Sequence, residues 1–263
     1  MKQISALVCV HNEGKRLGDC LDRLGFADEI VVVLDRCADD SEQIARRHGA
    51  VVVAGSYPLE GARKTAGIEA CSGEWIFEVD ADEFVPDELA AQILAAIQEA
   101  HGASHFVIPV DNYVGTRLIR YGWGGSFGTN SAARLYKKAA KHWKSERVHP
   151  GIILDGARGR CLTYPLVHLV DDDVSDMARR LVRYTELRAL DLADTGKVGG
   201  LWPAAFRATR RFWKCYVTRQ GYKEGAWGVL IATMAALFAF LSVLQARLIL
   251  NERSSKGLGV ARV

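Results

Sequence analysis

The sequence lacks every cysteine pattern that would cross-link the chain or bind zinc. Its six cysteines are scattered, and no two of them form a CxxC pair. This spacing argues against a disulfide framework and a zinc site, and it predicts free thiols in a reducing compartment. The chain also lacks a long apolar run near its start, because the run "ISALVCV" (4–10) ends at His11. That run is too short for a secretory signal, so we expect the catalytic part to be cytoplasmic.

The sequence contains no internal repeat, no low-complexity segment and no recognised RNA- or DNA-binding motif, so no nucleic-acid partner is expected. The net charge of +3 hides an asymmetry along the 263 residues. Residues 1–100 carry 9 Lys and Arg against 19 Asp and Glu, whereas the remaining 163 residues carry 25 against 12. An acidic front half and a basic back half predict different partners for the two parts.

Short apolar runs alternate with amphipathic stretches through residue 100. Strands are predicted at 4–10, 28–35, 51–55 and 74–80, each followed by a helical pattern. This alternation predicts an α/β fold with a parallel sheet covered by helices on both sides. From residue 104 the pattern indicates a mixed sheet extension with long loops. Residues 174–192 predict a basic helix, and no charged residue occurs from Gly225 to Ala246.

Polar residues follow three of the predicted strands. His11 and Asn12 follow the first strand, Asp35 ends the second, and Asp80 and Asp82 follow the fourth. Because ligands bind at the carboxyl ends of parallel strands, we expect these side chains to share one edge of the sheet. A divalent cation would relieve the repulsion between Asp80 and Asp82. The alternative is a solvated turn whose acids precede the helix that begins near Pro86.

The order of these segments resembles the family 2 glycosyltransferases, which have the GT-A fold and use nucleotide-sugar donors. The similarity rests on "VCVHNEGKRL", "ADEIVVVLDRCADDSEQIARRHGA" and "EGARKTAGIEACSGEWIFEVDADE", which lie within roughly the first 90 residues. Within the family the sequence is most similar to the branch that builds lipopolysaccharide core. There, later segments such as "RLYKK" and "PLVH" (165–168) and an apolar C-terminal stretch recur.

The resemblance implies roles for individual residues. Asp35 would accept hydrogen bonds from uracil or an equivalent base of the donor, or would simply precede the next helix. Asp80 would lie near the ribose and the metal, Asp82 would ligate Mg²⁺ or Mn²⁺, and His168 would be a third ligand or a core histidine. Arg63 and Lys64 would bind the diphosphate or pair with Asp80. The remaining predicted donor-binding residues are His11, Asn12, Glu13 and Ala81, with helix capping as the alternative for Asn12.

The resemblance does not identify the general base. In the lipopolysaccharide-core branch an acidic residue follows Val-His, but here "SERVHPGI" has Pro150 at that position. His149 could accept a proton at neutral pH, and Glu146 supplies a carboxylate, although in an extended strand it would face away from His149. Asp111 is a third option. Alternatively, His149 only bonds the backbone of its loop.

These patterns predict two regions and an enzyme. Residues 1–172 would form a GT-A type, Rossmann-like mixed sheet, and 173–263 a basic helical extension with a membrane-associated helix at 225–250. The predicted activity is inverting, metal-dependent transfer from a nucleotide sugar, with a UDP-sugar as the first expectation, to a glycolipid acceptor. The alternatives are a polyprenyl-phosphate sugar transferase and a non-catalytic membrane scaffold. The expected location is the cytoplasmic face of the inner membrane, on an anionic surface, and homo-oligomer formation stays open.

Overall fold

The structure, a computed structural model, describes residues 3–124, 128–147 and 150–259. The chain forms two compact units. The first comprises Met1–Tyr113 and Asn130–Val170, and the second comprises Val114–Thr129 and Asp171–Val263. The predicted boundary after residue 172 lies two residues from the observed one, because the second unit includes every residue from Asp171 onward. Nothing in the sequence pattern indicates that Val114–Thr129 belongs with the C-terminal helices.

The first unit has a parallel sheet at its centre, as the alternating pattern predicts. Its strands lie in the order β3-β2-β1-β4, and β1 pairs in parallel with both β2 and β4. The strands are β1 (Ile4–Val10), β2 (Glu29–Asp35), β3 (Val51–Gly55) and β4 (Trp75–Val79). The helices are α1 (Gly14–Leu21), α2 (Ser41–Arg47), α3 (Glu60–Ala70) and α4 (Asp87–Gln98).

Beyond β4 the sheet continues through antiparallel pairings of β8 with β4 and β6 and of β12 with β5, which confirms the predicted mixed sheet. From β4 onward the order is β8, β6, β12 and β5, and β11 pairs in parallel with β6. The strands are β5 (Glu83–Phe84), β6 (Ala103–Val114), β8 (Ser131–Lys137), β11 (Ala157–Cys161) and β12 (Leu166–Asp171). A separate antiparallel pair is formed by β9 (Lys141–Trp143) and β10 (Ile152–Leu154). The remaining strand, β7 (Arg117–Ile119), belongs to the second unit.

The central strand β1 is apolar throughout because both of its faces are covered. Val8 packs into one core cluster with Leu17 of α1 and Ile93 of α4. Leu7 points the other way and packs with Ile68 of α3. All seven residues of β1 are buried, which is why its sequence shows no alternation of apolar and polar residues.

The second unit is helical. It contains α5 (Val174–Asp194), α6 (Leu201–Trp213), a π-helical turn (Lys214–Thr218) and α7 (Ala226–Gly259). α7 packs against both α5 and α6. Within the described residues, one helical segment is long and apolar enough to cross a membrane, Ala226–Ser255, and 33% of its most apolar window is buried.

Candidate active site

The three parallel strands β1, β2 and β4 end at the same edge of the sheet. Val10 of β1 pairs with Leu34 of β2, and Val8 of β1 pairs with Val79 of β4. The residues that follow these pairs therefore leave the sheet side by side. This register brings the predicted polar groups after β1, β2 and β4 to one edge.

The loop after β1 is fastened to the loop after β2. His11 Nδ1 lies 2.6 Å from the Asp35 carbonyl oxygen, and Asn12 Oδ1 accepts a hydrogen bond from the Ala38 N–H at 2.7 Å. The Glu13 N–H donates to Ser41 Oγ at 3.2 Å. Asn12 does not cap α1, which begins without a side-chain cap. These contacts give His11, Asn12 and Glu13 a role in shaping the loops that border the site.

Asp35 is buried at the end of β2 with its carboxylate already hydrogen-bonded. Its Oδ1 accepts from the Tyr57 N–H and from Arg36 Nε, both at 2.9 Å, and its Oδ2 accepts from Arg36 Nη2 at 2.9 Å. Burial acts to raise the pKa of Asp35, but the bonds from Arg36 and Tyr57 outweigh it and hold the pKa below its ordinary value. Arg63 Nη1 is 4.0 Å from Asp35 Oδ2.

A buried glutamate on β4, Glu78, accepts hydrogen bonds from four side chains. Its Oε1 accepts from Lys64 Nζ at 2.6 Å and from Arg134 Nη1 at 3.2 Å. Its Oε2 accepts from Lys141 Nζ at 2.7 Å and from the Tyr136 hydroxyl at 2.8 Å. Burial acts to raise the pKa of Glu78, but Lys141, Lys64 and Arg134 hold it far below the usual range. Burial, partly offset by Glu78, lowers the pKa of Lys141 to about 8.

The same cations reach Asp80. Arg134 Nη2 donates to Asp80 Oδ2 at 2.7 Å, and Lys64 Nζ lies 3.4 Å from Asp80 Oδ1. Burial opposes ionisation of Asp80, but Arg134 and Lys64 hold its pKa well below the ordinary value. Glu83 accepts from Arg134 and, at 2.8 Å, from the Asp80 N–H. Burial raises the pKa of Glu83 to about 7 despite Arg134. Of the two predicted cations, Lys64 therefore pairs with Asp80, whereas Arg63 lies toward Asp35.

Asp82 faces His168 because β5 pairs with β12, where His168 lies opposite Glu83. The Nε2 of His168 is 3.5 Å from Asp82 Oδ2, and its Nδ1 is 2.9 Å from Asn112 Oδ1. Burial acts to lower the pKa of His168, but the bond to Asp82 and the negative charge of Asp82, Glu83 and Asp80 raise it above 6.5. The Asp82 side chain is 30% exposed, so its carboxylate is open to a ligand.

The predicted set of three metal ligands is not assembled as expected. Asp80 is turned toward Arg134 and Lys64, and the described residues contain no group of three or more His, Cys, Asp and Glu that could hold a metal ion. Asp82 and His168 remain. Mg²⁺ is commonly bound by only one or two carboxylates and completes its shell with water and phosphate oxygens, so Asp82 fits a cation held jointly with a bound diphosphate. His168 could add a nitrogen ligand in its neutral form. Asn112 would orient the imidazole.

Two buried arginine atoms at this edge have no protein partner. Within the described ranges, neither Arg63 Nε nor Arg134 Nε makes a hydrogen bond, although both are buried. Buried donors are nearly always satisfied, so these two atoms are positions at which an additional acceptor would be stabilised. Both atoms belong to guanidinium groups, which suit anionic oxygens.

The other predicted site residues have different surroundings. Ala81 is 4% exposed and packs in the core beside Val79. Glu146 lies in the irregular segment between β9 and β10, not in a strand, and its carboxylate accepts from the Gly151 N–H at 3.1 Å. His149 lies outside the described residues. Asp111 is half-buried in β6.

Sequence reasoning assigned no role to Glu78, Arg134 or Lys141. The signal for Glu78 was a single acid inside an otherwise apolar strand, "WIFEV". A charge at a buried strand position requires a partner. No comparable signal marks Lys141, because the nearby Lys137 and Lys138 are also lysines and the sequence does not distinguish the three. Of the three, only Lys141 is buried in the structure.

Comparison with known sequences agrees with this architecture. The sequence model described as "Glycosyl transferase family 2" matches residues 5–152. The chain is 25% identical over 253 residues to the "Lipopolysaccharide core biosynthesis glycosyltransferase LpsC" of Rhizobium meliloti (strain 1021), covering 91% of this chain and 90% of that protein. It is 30% identical to an uncharacterized glycosyltransferase of Rickettsia prowazekii (strain Madrid E), but over only 35% of this chain and 32% of the relative.

Solved structures that match part of the chain include Staphylococcus aureus TarS, at a TM-score of 0.42 and 20% identity over 52% of this chain and 28% of that one. Glucosyl-3-phosphoglycerate synthase from Mycobacterium tuberculosis, in complex with Mn²⁺ and UDP-glucose, has a TM-score of 0.36 and 21% identity, covering 43% of this chain and 44% of the other. The chain thus spans less than half of these structures.

Proposed function

The chain belongs to glycosyl transferase family 2, and we propose that it transfers a sugar, with inversion and with a divalent cation, from a nucleotide sugar to a membrane-held glycolipid. The reaction would serve lipopolysaccharide core or other cell-envelope glycan synthesis. The observation that carries this proposal is that Asp82 and His168 lie beside Arg134 and Lys64, the two cations that pair with Asp80. An accessible carboxylate and a row of buried cations at one sheet edge suit a metal-bound diphosphate.

The donor would lie along the edge formed by β1, β2 and β4. Asp35 would accept from the base, since a carboxylate has more acceptor sites than the three hydrogen bonds it receives from Arg36 and Tyr57. The Nε atoms of Arg63 and Arg134 have no hydrogen-bond partner among the described residues, which supports binding of the anionic diphosphate there. A UDP-sugar is the donor that we propose.

The divalent cation, Mg²⁺ or Mn²⁺, would be held by Asp82 and His168. When bound, it would neutralise charge on the departing diphosphate. Arg134 and Lys64 would add fixed positive charge on the same side, and Glu78 holds both cations in place. Because these groups are oriented before the donor arrives, they stabilise charge without rearrangement during the reaction.

The chemistry would be one direct displacement at the anomeric carbon. The acceptor oxygen forms a bond to that carbon, the bond to the diphosphate oxygen breaks, and the acceptor proton passes to a general base. Glu146 and His149 are the proposed bases. Glu146 lies in the segment after β9, where its bond to the Gly151 N–H restrains the carboxylate.

The membrane-held acceptor is supported by the similarity to LpsC over nine tenths of both chains and by the apolar helix α7. A glycolipid in lipopolysaccharide core assembly is the acceptor we propose, at the cytoplasmic face of the inner membrane. Transfer to a polyprenyl phosphate in place of the glycolipid would support the alternative acceptor.

The test is a transfer assay with a panel of nucleotide sugars and with lipid A–core or polyprenyl phosphate as acceptor, in EDTA or in Mg²⁺ or Mn²⁺. We expect turnover only when Mg²⁺ or Mn²⁺ is present. The anomeric signals in the NMR spectrum of the product should show a configuration opposite to that of the donor sugar. Asp82→Ala should abolish transfer and weaken Mn²⁺ binding measured by electron paramagnetic resonance with UDP present. Asp19→Ala, at an exposed position on α1, is the matched control. Full activity in EDTA, or an active Asp82→Ala variant, would contradict the metal role.

A further inference from the structure

Helix α6 exposes large aromatic side chains to solvent. Trp202 is 89% exposed, Phe206 72%, Trp213 55%, and Val217 in the following π-helical turn 50%. Their spacings of four, seven and four residues put them along one stripe of the helix. In contrast, Ala204 is fully buried, and α6 packs along α7. A contiguous exposed aromatic stripe on a surface helix marks an interaction site.

The chain around this stripe carries charge of one sign. Residues 195–223 contain seven Lys and Arg and no Asp or Glu. Arg207, Arg210 and Lys214 are exposed beside the aromatic stripe. Within the described ranges, none of these three makes an ion pair with a carboxylate. Their charge is therefore available to an anionic partner.

We propose that this α6 surface, formed by Trp202, Phe206, Arg207, Arg210, Trp213 and Lys214, binds the headgroup layer of an anionic phospholipid bilayer. Tryptophan rings favour that layer because one end is apolar and the other can hydrogen-bond. Lysine and arginine beside them gain from the negative surface potential of an anionic leaflet. The helix would lie along the membrane surface, as amphipathic basic helices do.

A second copy of the chain is a poorer occupant of this surface. Two copies meeting through α6 would bring two acid-free segments, each with seven cations, against each other. Repulsion between like charges at such short distances makes association less favourable unless the charges are screened. A bilayer with acidic lipids has no such conflict. This inference concerns attachment and does not depend on the transfer reaction.

The deciding measurement is the depth of Trp202 in vesicles of phosphatidylcholine with about one third phosphatidylglycerol. The full-length protein is reconstituted, and fluorescence quenching by brominated lipid is compared with that of Trp202→Phe. We expect the difference between the two proteins to contain a strongly quenched component that weakens when phosphatidylglycerol is omitted. If the Trp202 emission is not quenched by brominated lipid, the proposal is overturned, however tightly α7 holds the protein to the vesicle.

Vesicle flotation provides the second measurement. Trp202→Ser with Phe206→Ser, and separately Arg207→Glu with Arg210→Glu, should each weaken binding by about tenfold. The matched control is Arg179→Glu with Val182→Ser on α5, where the side chain of Arg179 is 70% exposed and Val182 is 62% exposed. It should stay within about twofold of the wild type. A dimer that Trp202→Ser abolishes without lipid would instead assign the surface to a second copy.

Discussion

Replacing Glu78 with Gln should destabilise the first unit far more than replacing an exposed glutamate. Glu78 is 1% exposed and accepts hydrogen bonds from Lys64, Arg134, Lys141 and Tyr136. Glutamine keeps the shape but removes the charge, and its amide nitrogen would face donors. Asp80 and Glu83 still neutralise Arg134, and Asp80 still faces Lys64. Lys141 loses the carboxylate with which it pairs.

The expected loss has two parts. Lys141 has a pKa of about 8, so at neutral pH it can release its proton at a cost of roughly 1 kcal/mol, which limits its contribution to the loss. Weakened hydrogen bonds from Lys64, Arg134 and Tyr136 add about 1.5–3 kcal/mol. The free energy of unfolding should therefore fall by about 3–4 kcal/mol, within the range of about 3–5 kcal/mol for breaking a buried ion pair.

Native-state hydrogen exchange of β4 measures this loss separately from the helical unit. Protection should fall by about two to three orders of magnitude in Glu78→Gln. The control is Glu74→Gln at the same strand, because Glu74 forms a surface pair with Lys137 and the two side chains are 62% and 40% exposed. That variant should lose less than about 1 kcal/mol. Adding Lys141→Met to Glu78→Gln should restore about 1 kcal/mol, since it removes the cation left unpaired. If Glu78→Gln loses no more protection than Glu74→Gln, the ion cluster does not stabilise the unit.

Three further predictions concern the binding of the donor's nucleotide base, the general base that accepts the acceptor's proton, and the dependence of stability on pH. Asp35→Ala should raise the KM for the donor and leave kcat nearly unchanged, because contacts to the base are similar in the ground and transition states; a fall in kcat at constant KM would contradict the assignment. Either His149→Ala or Glu146→Gln should lower kcat by roughly 10²–10⁴-fold while donor binding is retained; normal turnover in both and in the double variant would move the role to Asp111. Folding lowers the pKa of Lys141 from 10.5 to about 8, so the unfolded chain binds more protons between these pH values. Wild-type stability should therefore rise relative to Lys141→Met by up to about 3 kcal/mol from pH 8 to pH 10.5 in urea denaturation, and a constant difference would refute the shift.

The sequence did not show which carboxylate Arg63 and Lys64 would each approach. Adjacent residues on a helix point in different directions, so the two cations cannot both face the same group. α3 directs Lys64 toward Glu78 and Asp80 and Arg63 toward Asp35. The resemblance to the family placed both cations near a diphosphate, but it did not distinguish them. The distinction depends on how α3 is rotated against β1 and β2, which is a property of packing and not of local pattern.

The sequence by itself determined the parallel half of the sheet and the edge where polar groups collect. β1 to β4 follow from apolar runs bounded by helical patterns, and the order of strand and helix forces the strand ends to one side. It also determined the identity of the family, since the matching segments lie within these elements. Such features depend on residues close together in the chain, where period and composition are sufficient.

Only the tertiary structure decided which side chains meet at that edge. The antiparallel pairing of β8 with β4 brings Arg134 to Glu78 and Asp80, and the pairing of β12 with β5 brings His168 to Asp82. These partners are 54 to 86 residues apart along the chain. The register of antiparallel strands is set by how their faces pack against the core, and a shift of one residue would turn Arg134 to the opposite face. Local sequence carries no record of that register, so the ion cluster became visible only once the sheet was assembled.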